Sequence, residues 1–213
     1  MTDSPPCAEI AVLAKAPIPG LTKTRLIPRL GAAGAARLQA ALTECAVQTA
    51  LAAGLGPVTL WCTPDCRHPV FVALAQRYGV GLREQQGVDL GARMAHATAE
   101  HAVRVPVLLT GTDCPALTPD HLRVAAAALA DGDDVVVMPA QDGGYVLIGL
   151  ARPQPKLFDG MPWGSARVMD ETRRRLRFLG LRWSEPATLW DVDRPEDIER
   201  LAETQLPRSC HLR

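Results

Sequence analysis

Short apolar runs alternate along this chain with longer stretches in which apolar residues recur every three or four positions. The first pattern predicts strands buried on both faces and the second predicts amphipathic helices. Strands are read over 8–14, 57–62, 80–84, 107–110, 133–139, 145–150 and 181–183. Helices are read over 31–53, where Leu38, Leu42, Cys45 and Thr49 are spaced three or four apart, and over 65–78, from Asp89 to about residue 103, from Thr118-Pro119 onward, and over 165–179. Strand–helix alternation implies right-handed crossovers and a mostly parallel sheet covered by helices on both faces. One departure is predicted: Asp142-Gly143-Gly144 joins two strands directly, which makes that pair an antiparallel hairpin. The fold class is therefore an α/β three-layer sandwich with a mostly parallel central sheet and a small antiparallel portion.

With 213 residues, 47% of them hydrophobic, the chain can bury a core as a single domain, read as 1–206 with a disordered tail over 207–213. Lys plus Arg equals Asp plus Glu at 23 each, so no overall field draws the protein to nucleic acid or to an acidic membrane surface. The start Met-Thr-Asp-Ser-Pro-Pro lacks the positive region of a signal peptide, and the expectation is a cytoplasmic protein. Six scattered cysteines do not form a disulfide framework. Cys62, Cys66 and His68 invite a zinc reading, but no second pair follows downstream, and buried small hydrophobes are the preferred reading.

Candidate chemistry gathers at strand ends. Asp113 stands at the carboxyl end of the run Val107-Leu-Leu-Thr110, where open α/β sheets place their ligand crevice; it is either a metal or substrate ligand or a turn cap. After the first strand, Lys15, Lys23 and Arg25 fall within eleven residues of a loop that also holds Pro17, Pro19 and Gly20. That loop suits an anion, although a solvated basic loop is the competing explanation, and neither a Walker nor a Rossmann glycine pattern is present. Asp89 reads as a helix N-cap that puts Arg93 one turn inside, pointing back toward the crevice or out to solvent. Asp191 and Asp193 share a face if extended, so either could join Asp113 at a metal; alternatively Asp193 caps a helix with Glu196 in a capping box. Arg173-Arg174-Arg175 reads as a solvated helix face.

Five motifs in order, Lys15-Ala-Pro17-x-Pro19-Gly20-x-x-Lys23-Thr-Arg25-Leu, Gln86-Gly87-x-Asp89-Leu-Gly91-x-Arg93-Met, Gly111-Thr-Asp113-Cys-Pro115, Pro139-Ala-x-Asp142-Gly143-Gly144-Tyr145 and Trp190-Asp191-Val-Asp193-x-Pro195-Glu-Asp197, resemble a small bacterial family of glycosyltransferase-like proteins. That family belongs to the nucleotide-diphospho-sugar transferase superfamily with the GT-A (Rossmann-like) fold. More distantly the chain is similar to guanylyltransferases acting on phospholactate and on molybdenum cofactor. The resemblance implies a nucleotide over the first loop, with Lys15, Pro17, Gly20, Lys23, Arg25 and Arg93 in its binding site and Lys23, Asp113 and Asp142 in catalysis. It also implies Asp142, Gly143, Gly144, Trp163 and Ser165 around the second substrate, and Mg²⁺ or Mn²⁺ on Asp113. Position 115 is Pro, so there is no Asp-x-Asp pair, and the second metal carboxylate is taken to be Asp193, with Asp191 in reserve.

Three functions follow. The first is a metal-dependent glycosyltransferase joining a nucleotide sugar to a small-molecule acceptor. The second is a nucleotidyltransferase joining an NTP to a phosphorylated metabolite and releasing pyrophosphate. The third is a nucleotide-binding protein without turnover. None needs nucleic acid or membrane as partner, and each is compatible with a homodimer.

Overall fold

The computed structural model describes residues 8–100 and 105–203. Seven strands form one sheet: β1 (Glu9–Lys15), β2 (Val58–Thr63), β3 (Gly81–Glu84), β4 (Val107–Thr110), β5 (Val135–Pro139), β6 (Tyr145–Leu150) and β7 (Trp183–Ser184), in the order β3-β2-β1-β4-β6-β5-β7. All neighbours are parallel except those of β6, which runs antiparallel to both β4 and β5. The predicted Asp142-Gly143-Gly144 hairpin is thus what reverses the chain, pairing Pro139 with Tyr145. β1 lies inside the sheet, with Val12 opposite Leu60 on one side and Thr110 on the other.

Alternation along the strands divides the core into two layers. Ile10, Val12, Leu60, Leu108, Val136 and Met138 pack under α1 (Ile27–Ala53), α2 (Pro69–Tyr78) and α4 (Pro119–Ala130). Ala11, Trp61, Leu109, Val135, Val137 and Ile148 pack under α3 (Leu90–Ala99) and α5 (Val168–Phe178). The three-layer α/β sandwich inferred from the sequence is the architecture observed. A third cluster joins Leu26, Leu38 and Leu42 to Trp190, Val192 and Leu201, and so fastens the segment before α6 (Asp197–Glu203) onto the outer flank of α1.

Several element limits move for local reasons. α1 begins at Ile27, with Pro28 in its first turn, and kinks at Gly31, whose φ of 68° leaves the helical region. α2 starts at Pro69 instead of residue 65, because Asp65 accepts from the Arg67 N–H in a tight turn and the His68 ring accepts from the Val70 N–H as the cap. His68 is therefore a capping residue. The helix over 165–179 shortens to α5, since Ser165 Oγ donates to the Pro162 carbonyl within the preceding loop. Asp89 and Thr118 cap α3 and α4 as read. The arginine run is more than a solvated face: Arg173 pairs with Glu185, Arg174 and Arg175 both pair with Glu171, and Arg175 also donates to the Leu157 and Gly160 carbonyls, tying down that loop. Residues 101–104, where α3 was expected to end, and the tail over 207–213 lie outside the described residues. No helix among those described is long and apolar enough to cross a membrane.

Candidate functional site

Every parallel strand ends at the same edge of the sheet, and there a cleft of about 690 Å³ opens. Its floor is made by the ends of β1 and β4, its basic wall by the loop after β1, and its far wall by α3, the start of β6 and the loop holding Trp163. Lys15, Lys23, Arg25, Arg93, Asp113, Asp142, Gly144, Trp163, Ser165, Asp191 and Asp193 all line it, although they come from six separate stretches of sequence. Pro17, Gly20 and Gly143 do not. Pro17 is buried, and Gly20 takes a φ of 82° in the turn that follows. A Cβ on Gly143, whose φ is 92°, would stand 2.3 Å from the Ala166 carbonyl, and the Gly143 carbonyl accepts from the Met169 N–H. Gly143 therefore seats the start of α5 against the hairpin and does not face a ligand.

Asp113 is held from three sides. Its carboxylate pairs with the Lys23 ammonium at 2.8 Å; the Lys23 side chain is 3% exposed and that of Asp113 49% exposed. Lys23, in a left-handed conformation, also donates to the Val192 carbonyl, while the Val192 N–H donates to the Asp113 carbonyl at 2.8 Å. Behind Asp113 the Thr112 hydroxyl donates to its Oδ1 at 3.3 Å and accepts from Gln39 Nε2 at 2.8 Å, and Gln39 Oε1 accepts from the Thr22 hydroxyl at 3.3 Å. Gln39, buried on the apolar face of α1, thus links the residues adjacent to both Lys23 and Asp113. The sequence reading missed Gln39. The one available signal was an amide and a threonine, Gln39 and Thr43, one turn apart on a helix face otherwise made of Ala, Leu and Cys.

The segment 189–193 reaches Asp113 because its backbone first pairs with the end of β5: the Leu189 N–H donates to the Pro139 carbonyl and the Gln141 N–H to the Leu189 carbonyl. Asp193 then pairs with Arg25. The proposed Asp193–Glu196 capping box does not form; Asp197 instead accepts from the backbone N–H groups of Asp193 and Arg194. Asp191 is the carboxyl turned toward the other acids. It is half-buried, and burial, followed by the nearby charges of Asp142 and Asp113, pushes its pKa up to about 6.

On the opposite wall, Trp163 meets Tyr145 edge to face at 6.2 Å, and the Trp163 indole N–H is buried without an acceptor among the described residues. Gly91 makes room for that ring, since a Cβ there would lie 2.8 Å from the indole nitrogen. Ser165 lines the cleft, but its hydroxyl is already engaged with Pro162. Arg93 lines the wall with its Nε donating to the Gly87 carbonyl at 3.2 Å, which resolves the choice between crevice and solvent in favour of the crevice.

A mostly parallel sheet interrupted by one reversed strand, with cations and carboxylates gathered at its strand ends, matches the fold of the nucleotide-diphospho-sugar transferase (GT-A) class. Within that class the chain belongs to the family described as "Uncharacterized protein conserved in bacteria (DUF2064)", whose profile matches residues 46–165. It is 31% identical to a protein of Desulfovibrio desulfuricans G20 provisionally named a nucleotide-diphospho-sugar transferase, with a TM-score of 0.80 over 91% of this chain and 85% of that one. A cytidylyltransferase from Leptospira borgpetersenii shares the fold at 14% identity and a TM-score of 0.61, over 91% of this chain and 84% of that one. The inositol-1-phosphate CTP transferase of T. maritima does so at 12% and 0.58, over 93% and 94%. No curated protein matches the chain.

Proposed function

We propose that this protein is a metal-assisted glycosyltransferase that takes a nucleotide-sugar donor in the main cleft and passes the sugar to a small-molecule acceptor. The observation that carries the reading is the juxtaposition, in one cleft, of a basic loop with three carboxyls from distant parts of the chain, Asp113, Asp142 and Asp191. Breaking a bond to a nucleoside diphosphate builds negative charge on the leaving group, which preorganised cations stabilise. Lys15, exposed at the end of β1, and Arg93 are the cations available to contact phosphate; the buried Lys23 instead holds Asp113 and the 189–193 segment in place.

The residues fit a divalent ion. Burial, and after it the nearby charges of Asp142 and Asp113, raises the pKa of Asp191, and a cation held by Asp191 and Asp113 would offset both. Among the described residues no group of three or more potential ligands converges, so the assignment rests on two carboxylates, with phosphate oxygens and water to complete the shell of Mg²⁺ or Mn²⁺. Asp113, half exposed beside its Lys23 partner, and Asp191 are the pair we assign, since Asp191 lies near the charge of Asp113 while Asp193 is turned onto Arg25. When bound, the ion would supply charge neutralisation for the leaving diphosphate. The Trp163 N–H is buried against Gly91 without an acceptor among the described residues.

The nucleotidyltransferase reading shares the same cleft and differs in its product. Purified protein with Mg²⁺ is incubated with a panel of nucleotide sugars and NTPs together with neutral and phosphorylated acceptors. Nucleoside diphosphate release from a nucleotide sugar, dependent on acceptor, is expected. Pyrophosphate release from an NTP, with none of that, would replace glycosyl by nucleotidyl transfer, and silence across the panel would favour binding without turnover.

A further inference from the structure

A second cleft, of about 320 Å³, shares Arg25, Asp142, Asp191 and Asp193 with the main one. Its own lining adds Gln141, Trp190, Arg194, Asp197 and Arg200. We propose that this cleft is the acceptor subsite and that it takes a neutral, polyhydroxylated molecule in preference to a phosphorylated one; the assignment as acceptor site rests on the transfer reading above.

The lining decides the ligand class. Four carboxyls, Asp142, Asp191, Asp193 and Asp197, face three guanidinium groups, Arg25, Arg194 and Arg200. Arg25 is paired with Asp193, and Arg200 donates to Gln141 Oε1 at 2.8 Å while lying over the Trp190 ring at 4.3 Å. With the Arg25–Asp193 pair set aside, three carboxyls, Asp142, Asp191 and Asp197, stand against two guanidinium groups, Arg194 and Arg200, so the acids outnumber the cations before any ligand enters. A phosphomonoester brings a charge of about −1.5 to −2 at neutral pH and would meet these acids at close range. A divalent ion held by Asp113 and Asp191 would not reverse the balance, because the donor diphosphate would come with it and offset its charge.

Hydroxyl groups fit the same lining well. Each can donate to a carboxylate and accept from a guanidinium or amide N–H, and carboxylate, amide and guanidinium groups all line this cleft. Asp142 and Asp191, which belong to both clefts, would stand where donor and acceptor meet. In the transfer, the acceptor hydroxyl oxygen bonds to the anomeric carbon of the donor sugar and the bond from that carbon to the diphosphate breaks. The electron pair stays on the departing nucleoside diphosphate, and the hydroxyl proton is released to solvent.

Trp190 supplies a probe that the donor cleft lacks, since it lines only the second one. The indole N–H signals of the ¹⁵N-labelled full chain, with that of Trp190 identified from Trp190→Phe, are followed while matched pairs are added: glycerol against glycerol 3-phosphate, and glucose against glucose 6-phosphate. The expected result is a saturable Trp190 shift from at least one neutral member, with its phosphorylated counterpart binding at least about tenfold more weakly. In Asp197→Asn, checked for an unchanged melting curve, the phosphorylated counterpart should regain affinity. Tighter binding of the phosphorylated members would overturn the proposal, as would a Trp190 signal unmoved by either member of both pairs. Separate titration of UDP-glucose and CTP, read at Trp163 in the main cleft, keeps the two ideas apart. If neutral polyols move Trp190 while nucleotides leave Trp163 untouched, the transfer reading fails and the polyol site stands.

Discussion

Replacing Asp191 by Asn should stabilise the fold at neutral pH and at the same time abolish productive nucleotide binding. Asp191 is raised from 3.8 to about 6, chiefly by burial and then by Asp142 and Asp113. A carboxyl whose pKa is higher in the folded state binds its proton more tightly there. Its favourable contribution is complete below the unfolded pKa and is lost as pH rises from about 4 through 6. Above that range the wild type carries the whole cost of a charged group among like charges. At about 1.36 kcal/mol per pH unit the shift is worth at most about 3 kcal/mol. Asp191 is only half-buried, so solvent screening reduces this to about 1–2 kcal/mol. For a chain of this size that corresponds to roughly 2–8 °C in melting temperature. Thermal melts of wild type and Asp191→Asn at intervals between pH 4.5 and 7.5 should show a gap that opens with pH and favours the variant. Titration with Mg²⁺ and the nucleotide sugar active in the transfer assay should show binding weakened in the variant at pH 7.5, with the difference shrinking toward pH 4.5 as the wild-type carboxyl takes up its proton. A gap independent of pH, or a wild type more stable at pH 7.5, would refute the assignment of Asp191 as an acid whose charge is disfavoured by burial and by its neighbours.

Four further outcomes follow from the geometry. Gln39→Leu removes the amide linking Thr22 to Thr112; the two hydroxyls it leaves cost roughly 1–3 kcal/mol in part offset by the added apolar burial, so the melting point should move little while affinity for metal–nucleotide falls. Lys23→Met leaves Asp113 and the Val192 carbonyl without their ammonium; a loss of about 1–2 kcal/mol is expected from urea unfolding, discounted because Asp113 is half exposed, together with faster proteolysis after residue 189. Gly143→Ala should lower stability by at least about 2 kcal/mol, since it adds a left-handed non-glycine residue to a clash with Ala166; a thermal melt within one degree of wild type would contradict the packing described. Trp163→Phe keeps an aromatic ring against Tyr145 and removes a buried donor with no acceptor among the described residues, so stability should hold or rise in a thermal melt.

Periodicity and turn chemistry were sufficient to read the layers, the reversed strand and the edge of the sheet at which ligands gather. Local rules govern those features: a run of Val and Leu must be buried, Asp-Gly-Gly must turn, and a carboxylate following a buried strand must emerge at its end. The basic loop and Asp113 were legible for that reason. Tertiary structure decided which groups are free to act. Lys15 and Lys23 look alike in the sequence, yet one is exposed at a strand end and the other is buried against Asp113 and Val192. Asp191 and Asp193 are equivalent as spacing, but the backbone pairing of Leu189 with β5 and the packing of Val192 on α1 turn one toward Asp113 and the other onto Arg25. Gln39 reads as one polar residue in a helix until the fold sets it behind Thr112. The sequence by itself determined where charge must collect; which charges neutralise one another and which remain for a ligand depends on distances across the chain, and only packing sets those distances.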